Sequence, residues 1–384
     1  MNPTRSKTSG NRSGSAATHG GSRPRGRGQT PAGFEQRLLA RARDAEFTIH
    51  DRIIVGFSGG RDSLSLAAAL RWTQTSLGMD VLLVHVDHHL RASSSEEAKL
   101  AANLAIALGM EFQVIAVSPP LNDIHPGVGV EEAARRERYR ILFDAASQIG
   151  ARVVATAHHE GDQAETVMLH LLRGGGVHGA AAMAERSPSP VSQPSPLHDI
   201  SLQCNVTQAW LWRPLLHEPR KVIDAYVQSL GLEPIEDPSN ADTTIRRNAL
   251  RQAVIPTLEA YFPGATSALA RYASLAAEDD RALGDLAVTT LAHAVDPGGR
   301  LATDRLRAEP LAIQRRVIRR WLAEVTGSGA LTAERTDAVL AFAQAGSGGK
   351  ALEIGEGWEV RLERGMLRVN RGMDSSGNQP GEAQ

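Results

Sequence analysis

Residues 52–63 read RIIVGFSGGRDS, and this stretch decides the fold. Its first half, Arg52–Phe57, is a short run of β-branched and apolar residues, which predicts a buried strand. Its second half, Ser58–Ser63, holds two glycines and two serines and opens a helical pattern over residues 62–77. A strand, a glycine-rich turn and a helix start in this order make an anion site. The glycines let the backbone turn sharply, and the N–H groups of the first helical turn point outward at the anion. Ser58, Gly59, Gly60, Arg61, Asp62 and Ser63 are therefore the candidate phosphate-binding residues. Asp62 is the odd member, because a carboxylate repels phosphate; it makes sense as a ligand for a Mg²⁺ that bridges phosphate oxygens. The alternative is a plain strand-to-helix turn in which Asp62 caps the helix.

Outward from this stretch the pattern repeats. Strands are expected at 81–86, 112–117, 151–157 and 210–216, and helices at 94–109, 130–149, about 160–172 and 218–230. Alternating strands and helices predict an α/β fold, a parallel sheet with helices on both faces, Rossmann-like in layout. Right-handed crossovers then gather the loops after the strands along one sheet edge. Residues 187–208 carry four prolines among Ser and Gln and are expected to be a flexible insertion. From residue 243 to about 345 the pattern is helical, and 351–370 alternates with glycines as a small β finish. The expected organisation is a disordered basic extension at 1–33, an α/β domain at 34–242 that carries the anion site, a mainly helical domain at 243–372 and a disordered tail at 373–384.

Composition narrows the function. Among 384 residues, 42% are apolar and no apolar run is long enough for a membrane span, so the expected location is the cytoplasm without a membrane partner. The single cysteine, Cys204, excludes an internal disulfide, a redox pair, a zinc ribbon and an iron–sulfur site built by this chain alone. Net charge is −1. The six cations of residues 1–33, taken from that total, leave −7 for the rest. Two other phosphate loops are absent: Gly348-Gly349-Lys350 is followed by Ala351, and no Gly-x-Gly-x-x-Gly follows a strand.

SGGRDS resembles the loop of the PP-loop ATP pyrophosphatases. Within them the chain resembles the tRNA(Ile)-lysidine synthase family. The supporting segments run in order over most of residues 50–370. They are His85-Val-Asp-His-His-Leu-Arg91, Glu132-Ala-Ala-Arg135 with Arg138-Tyr139, Thr156-Ala-His-His159, Asp162-Gln-Ala-Glu-Thr166, Leu171-Leu-Arg-Gly174, Arg213-Pro-Leu-Leu216, Glu236-Asp-Pro-Ser-Asn240 and Arg247-Asn248. The resemblance implies an ATP- and Mg²⁺-dependent ligase. It would adenylate C2 of the wobble cytidine in a tRNA(Ile) with a CAU anticodon and then join free L-lysine there, giving lysidine, AMP and pyrophosphate. A homodimer is compatible with it. Two other readings remain open: another adenylating enzyme of the superfamily, and a nucleotide- or RNA-binding protein without catalysis.

Within that reading Arg135 and Arg138 could offset charge on the leaving pyrophosphate. His158, Asp162 and Glu165 fall at spacings of four and three on one helical face, where one of them could take the lysine proton. Asp62 and Asp162 are the candidate Mg²⁺ ligands. Zinc at His158, His159 and Asp162 is an alternative without a full ligand motif. Asp87, His88 and Glu132 are candidates for the amino acid. Gly161 stands where the family usually carries a first Asp, which leaves one carboxylate fewer. In Leu311–Leu322 the apolar residues share one half of the helical wheel, and Arg315, Arg316, Arg319 and Arg320 share an arc of about 140° on the other. Four like charges on one face suit an RNA backbone, and Arg247 with Arg246 and Arg251 forms a second basic group. With 16 aromatic residues, RNA is expected to be held mainly through shape and phosphate, with one base in the cleft.

Overall fold

The structure, a computed structural model, describes residues 33–45, 47, 51–90, 94–190, 209–236, 242–327, 332–345 and 351–371. The basic extension up to residue 32, Arg91, residues 191–208 with Cys204, the 237–240 turn, Lys350 and the tail from 372 lie outside the described residues.

Six strands form the first sheet: β1 (Arg52–Gly56), β2 (Asp80–Asp87), β3 (Glu111–Ala116), β4 (Val153–Ala155), β5 (Arg186–Pro188) and β6 (Trp210–Trp212), in the order β3-β2-β1-β4-β6-β5. All neighbours pair in parallel except β5 with β6. Strand β1 shows how the sheet is covered. Ile53 and Val55 point into a core shared with the helices Phe34–Asp44, Arg61–Leu77, Ser94–Leu108 and Arg220–Leu230. Ile54 points the other way, with Val84, Val154 and Leu211, onto the helix Val130–Ile149. Alternate residues of a strand face opposite sides, so a strand buried on both faces needs an unbroken apolar run. The chain turns one way from β1 to β2 and the other way to β4, and the ends of these three strands open into one crevice.

Three details depart from the expectation. Strand β5 overlaps the first two residues of the stretch expected to be a flexible insertion, paired antiparallel to β6 with Pro188 on the sheet edge, where a missing N–H is tolerated. Strand β6 stops at Trp212 because Arg213-Pro214 turns the chain. A two-residue strand, β7 (Leu301–Ala302), interrupts the region expected to be wholly helical.

That second region has its own core. Leu291, Ile313, Val317, Trp321, Leu340, Ile354, Val360 and Leu367 pack together there. They come from the helices Ala265–Ala294, Leu311–Thr326 and Ala333–Ala345 and from the sheet β7-β10-β9-β8, where β8 is Ala351–Gly355, β9 Trp358–Glu363 and β10 Met366–Arg371. Between the two cores runs a helical rod. It comprises Arg246–Ala249, a π-helical turn Leu250–Val254 and Ile255–Tyr261. Pro256 has no N–H to donate to the carbonyl of residue 252, and the wider turn just before it accommodates the loss. No helix among the described residues is long and apolar enough to cross a membrane.

Candidate active site

The glycine-rich loop sits at the end of β1 and depends on Gly59. Gly59 has φ +76°, and a Cβ built on it would lie 2.4 Å from Ile235 Cδ1. Both constraints demand glycine. The segment ending at Glu236 closes over this loop, with the Ile235 N–H donating to the Gly59 carbonyl at 2.9 Å. Ser58 Oγ lies 3.1 Å from Ser63 Oγ and accepts the Gly60 N–H at 3.3 Å. The helix Arg61–Leu77 begins at Gly60 with no side-chain cap, so its first N–H groups face the crevice.

The crevice is a cavity of about 1110 Å³. Ser58, Gly60, Arg61, Asp62 and Ser63 line it from β1, Asp87 and His88 from β2, and His158, Asp162 and Glu165 from β4 and the helix after it. Arg138 enters from the helix Val130–Ile149. Glu132 and Arg135 are not among the lining residues; Glu132 pairs with Arg136 at 2.9 Å and Arg135 at 3.7 Å on the outer helix surface. Arg247 also stands behind the wall, bonded to Glu165.

The helix Glu160–Leu171 starts with a reciprocal cap. The His159 N–H donates to Asp162 Oδ2 at 2.9 Å, and the Gly161 N–H donates to His159 Nδ1 at 2.9 Å. A Cβ at position 161 would lie 2.7 Å from His159 Cε1, so the glycine makes room for this ring. His159 Nε2 lies 3.3 Å from Arg220 Nη1, 3.6 Å from Asp162 Oδ2 and 3.9 Å from Asp62 Oδ2. His159 thus stands between the two carboxylates.

Both carboxylates are already held by arginines. Arg220 Nη1 is 2.9 Å from Asp62 Oδ1, and its Nε reaches Asp224 at 3.1 Å. Arg251 reaches Asp162 Oδ1 at 2.9 Å and Glu165 Oε1 at 2.6 Å, while Arg247 Nε donates to Glu165 Oε2 at 2.8 Å. Burial by itself would raise the Asp162 carboxyl, but His159, Arg247 and Arg251 beside it hold it well below the usual carboxylate range. Glu165 is almost fully buried and has both oxygens occupied, which makes it an anchor for the two arginines.

Burial pushes the His158 imidazole down to about 3, against a smaller upward pull from Asp162; its Nδ1 lies 2.9 Å from Thr156 Oγ1. Burial and then the Arg138 charge push His88 down to about 4, and its Nδ1 is buried without a partner. Arg138 lines the cavity without a carboxylate partner among the described residues, its guanidinium 5.9 Å from the centre of the Tyr139 ring. Asp87 accepts the His89 N–H at 2.8 Å.

No three His, Cys, Asp or Glu side chains among the described residues converge as a metal cage, which removes support for a zinc site at His158, His159 and Asp162. Asp62 and Asp162 remain a pair of oxygen donors facing the phosphate loop. Such a pair suits a hard cation that takes most of its ligands from phosphate and water.

The expected arginine face in the second region is largely neutralised from within. Arg315 pairs with Asp337 at 2.7 Å, Arg316 with Asp280 at 2.7 Å and Arg320 with Glu324 at 3.1 Å. Arg319 leaves its Nε buried and unpaired. The mutual repulsion that pointed to RNA is relieved by these carboxylates.

Comparison with known proteins follows the same division of the chain. A family model for a PP-loop domain matches residues 33–258, and one for a TilS substrate binding domain matches residues 301–368. The chain is 35% identical over 319 residues to the tRNA(Ile)-lysidine synthase of Salinispora arenicola, covering 83% of this chain and 90% of that protein. The chain belongs to the tRNA(Ile)-lysidine synthase family. It is 40% identical over 265 residues to the synthase of Deinococcus deserti and 38% identical over 273 residues to that of Ralstonia nicotianae. Those matches cover 69% and 71% of this chain but 43% and 54% of those longer proteins, about half their length. Among solved structures, the U34-tRNA thiolase NcsA from Methanococcus maripaludis, with its [4Fe-4S] cluster, has a TM-score of 0.50 at 16% identity. It covers 63% of this chain and 77% of its own, a likeness of fold.

Sequence reading missed Arg220 as a site residue and did not weigh Arg251 as a carboxylate partner. The only local signal for Arg220 is its place just after a strand, on the edge where the other site residues gather. Its partner Asp62 is 158 positions away.

Two outcomes follow from this geometry. Gly59→Ala should weaken binding of a non-hydrolysable ATP analogue by about tenfold or more, since left-handed backbone alone costs an L-residue roughly 1–2 kcal/mol; calorimetric titration measures it. His88 and His158 stay neutral in the fold below the ordinary imidazole value of about 6.5. Between that value and about pH 4 the unfolded chain binds protons that the folded chain refuses, so stability is present above the window and falls with pH inside it. His88→Gln with His158→Gln should flatten the Tm-against-pH curve there, and an unchanged slope would contradict the assignment.

Proposed function

We propose that this chain catalyses ATP-dependent formation of lysidine on a tRNA(Ile) with a CAU anticodon. The observation that carries the reading is the convergence, in one cavity of a lysidine-synthase family member, of an uncapped phosphate-loop helix, Asp62, Asp162 and Arg138. The cavity of about 1110 Å³ exceeds the usual range for one small ligand and has room for a nucleotide and an extruded base together.

The loop N–H groups and the Ser58 and Ser63 hydroxyls hold the ATP phosphates. Magnesium, when bound at Asp62 and Asp162, neutralises phosphate charge. The cytidine O2 attacks the α-phosphorus, the bond to the β-phosphate oxygen breaks, and pyrophosphate leaves. Arg138 and Arg61 supply positive charge at this cavity wall. The amine of lysine then attacks C2, the C2–O bond breaks, and AMP departs with that oxygen. The amine must lose a proton. His158 is neutral and Asp162 ionised, the forms that accept a hydrogen bond from it, but both are weak bases in this environment. Their role is therefore to orient the amine and relay its proton outward. The buried Glu165 fixes Arg247 and Arg251, and through Arg251 it fixes Asp162.

The domain division proposed is an ATP-binding catalytic part reaching to residue 242, followed by a helical part ending in the small sheet. The decisive assay combines the purified chain, ATP, Mg²⁺, labelled lysine and a CAU-anticodon tRNA(Ile) transcript. Label incorporated into RNA, with AMP and pyrophosphate released in equal amounts, is the expected result; RNA binding without AMP release would leave a non-catalytic binding protein. Asp162→Asn should lower incorporation by about 100-fold or more, with ATP-analogue binding largely kept.

A further inference from the structure

We propose that Tyr261 and Phe262 form a rigid aromatic corner at the cavity mouth that stacks on an unpaired RNA base next to the one inside. This inference rests on the proposed RNA substrate and adds a contact to it.

The two side chains are 78% and 68% exposed, which is unusual for adjacent large aromatic residues. They sit where the helical rod ending at Tyr261 turns into the helix Ala265–Ala294. The residues on either side of the corner belong to the cavity: Gln252 and Ile255 line it from the rod and Thr266 from the next helix. Six residues of helix separate Ile255 from Tyr261, about 9 Å, little more than the spacing of two neighbouring nucleotides.

The corner is held in place. Glu259 accepts the Gly264 N–H at 2.8 Å and the Thr266 N–H at 2.7 Å, tying the end of one helix to the start of the next. These hydrogen bonds, that of Thr266 foremost, keep the Glu259 carboxyl below its ordinary value. Gly264, at φ +89°, permits the sharp reversal. Two rings on a fixed backbone make a platform that loses little conformational entropy on binding.

Charge selects RNA as the occupant. Arg246 and Arg271 are exposed on the same two elements and have no ion-pair partner among the described residues. By contrast, Arg315, Arg316 and Arg320 all have carboxylate partners. Unpaired cations on the rod that ends in this aromatic pair and on the helix that follows it suit a single-stranded loop, whose bases stack on rings while its phosphates meet arginines.

The test uses the full chain and an anticodon stem-loop RNA with a CAU anticodon, 2-aminopurine replacing the anticodon adenine. Wild type should bind and change the probe's fluorescence. Tyr261→Leu with Phe262→Leu keeps apolar bulk but removes the ring faces. It should weaken RNA binding roughly 5- to 150-fold, the span expected for one stacked base, and lose the fluorescence change. Tyr261→Trp with Phe262→Trp should retain both. Affinity for the ATP analogue reports that the cavity is intact. If wild type binds the RNA and the leucine variant binds it equally well, the corner has no such role, while the proposed function stands. If the leucine variant instead alters only sedimentation, the surface serves self-association and the inference is overturned. A wild-type chain that does not bind the RNA removes both readings.

Discussion

Two acids one helical turn apart, Asp162 and Glu165, are buried against two arginines, Arg247 and Arg251, that come from the helical rod between the two cores. Much of the site depends on this cluster. A buried carboxylate left unpaired costs several kcal/mol, so the helix after β4 is stable in its place only while the rod carrying the arginines is docked. The same rod carries Gln252 and Ile255 to the cavity wall. The wider π-helical turn falls at Arg251 and Gln252, where a regular α-helix would aim these side chains differently. Nucleotide-binding edge and helical region are thereby joined by charge as well as by packing.

Net charge conveys little about a nucleic-acid partner for this protein. The total of −1 conceals a positive extension and a negative remainder. Position alone is also insufficient, because an arginine paired with a nearby acid offers an RNA phosphate far less than a free one. The arginines of the helix Leu311–Thr326 look like the strongest basic face in the sequence, yet three of the four are answered by Asp337, Asp280 and Glu324. Among the described residues, Arg138 inside the cavity and Arg246 and Arg271 on the elements beside it are cations without a carboxylate partner.

Gly161 has a structural role in this setting. Without a side chain there, the His159 ring folds over the helix start, caps it, and stands between Asp62 and Asp162. The missing carboxylate is thus matched by an imidazole cap, and two acids rather than three face the phosphate loop. The donor set stays one of oxygens, suited to a cation that arrives with a nucleotide.

The amino-acid sequence by itself determined the local elements and the loop. Residues 52–63 specify a buried strand and a phosphate turn because apolar runs and glycines act within a few residues of themselves. The five parallel strands and the helices between them were legible for the same reason. Strand β5 and strand β7 were not, since two or three residues carry no period and are defined by partners far along the chain. Within the site, the loop residues, Asp62, His158, Asp162 and Glu165 were legible as types at a spacing. Which charges face which was decided only in three dimensions. Arg220 meets Asp62 across 158 positions and Arg251 meets Glu165 across 86. Such pairs leave no trace in spacing, because they form only when packing of the two cores brings distant segments within Coulomb range and excludes the water that would otherwise screen them.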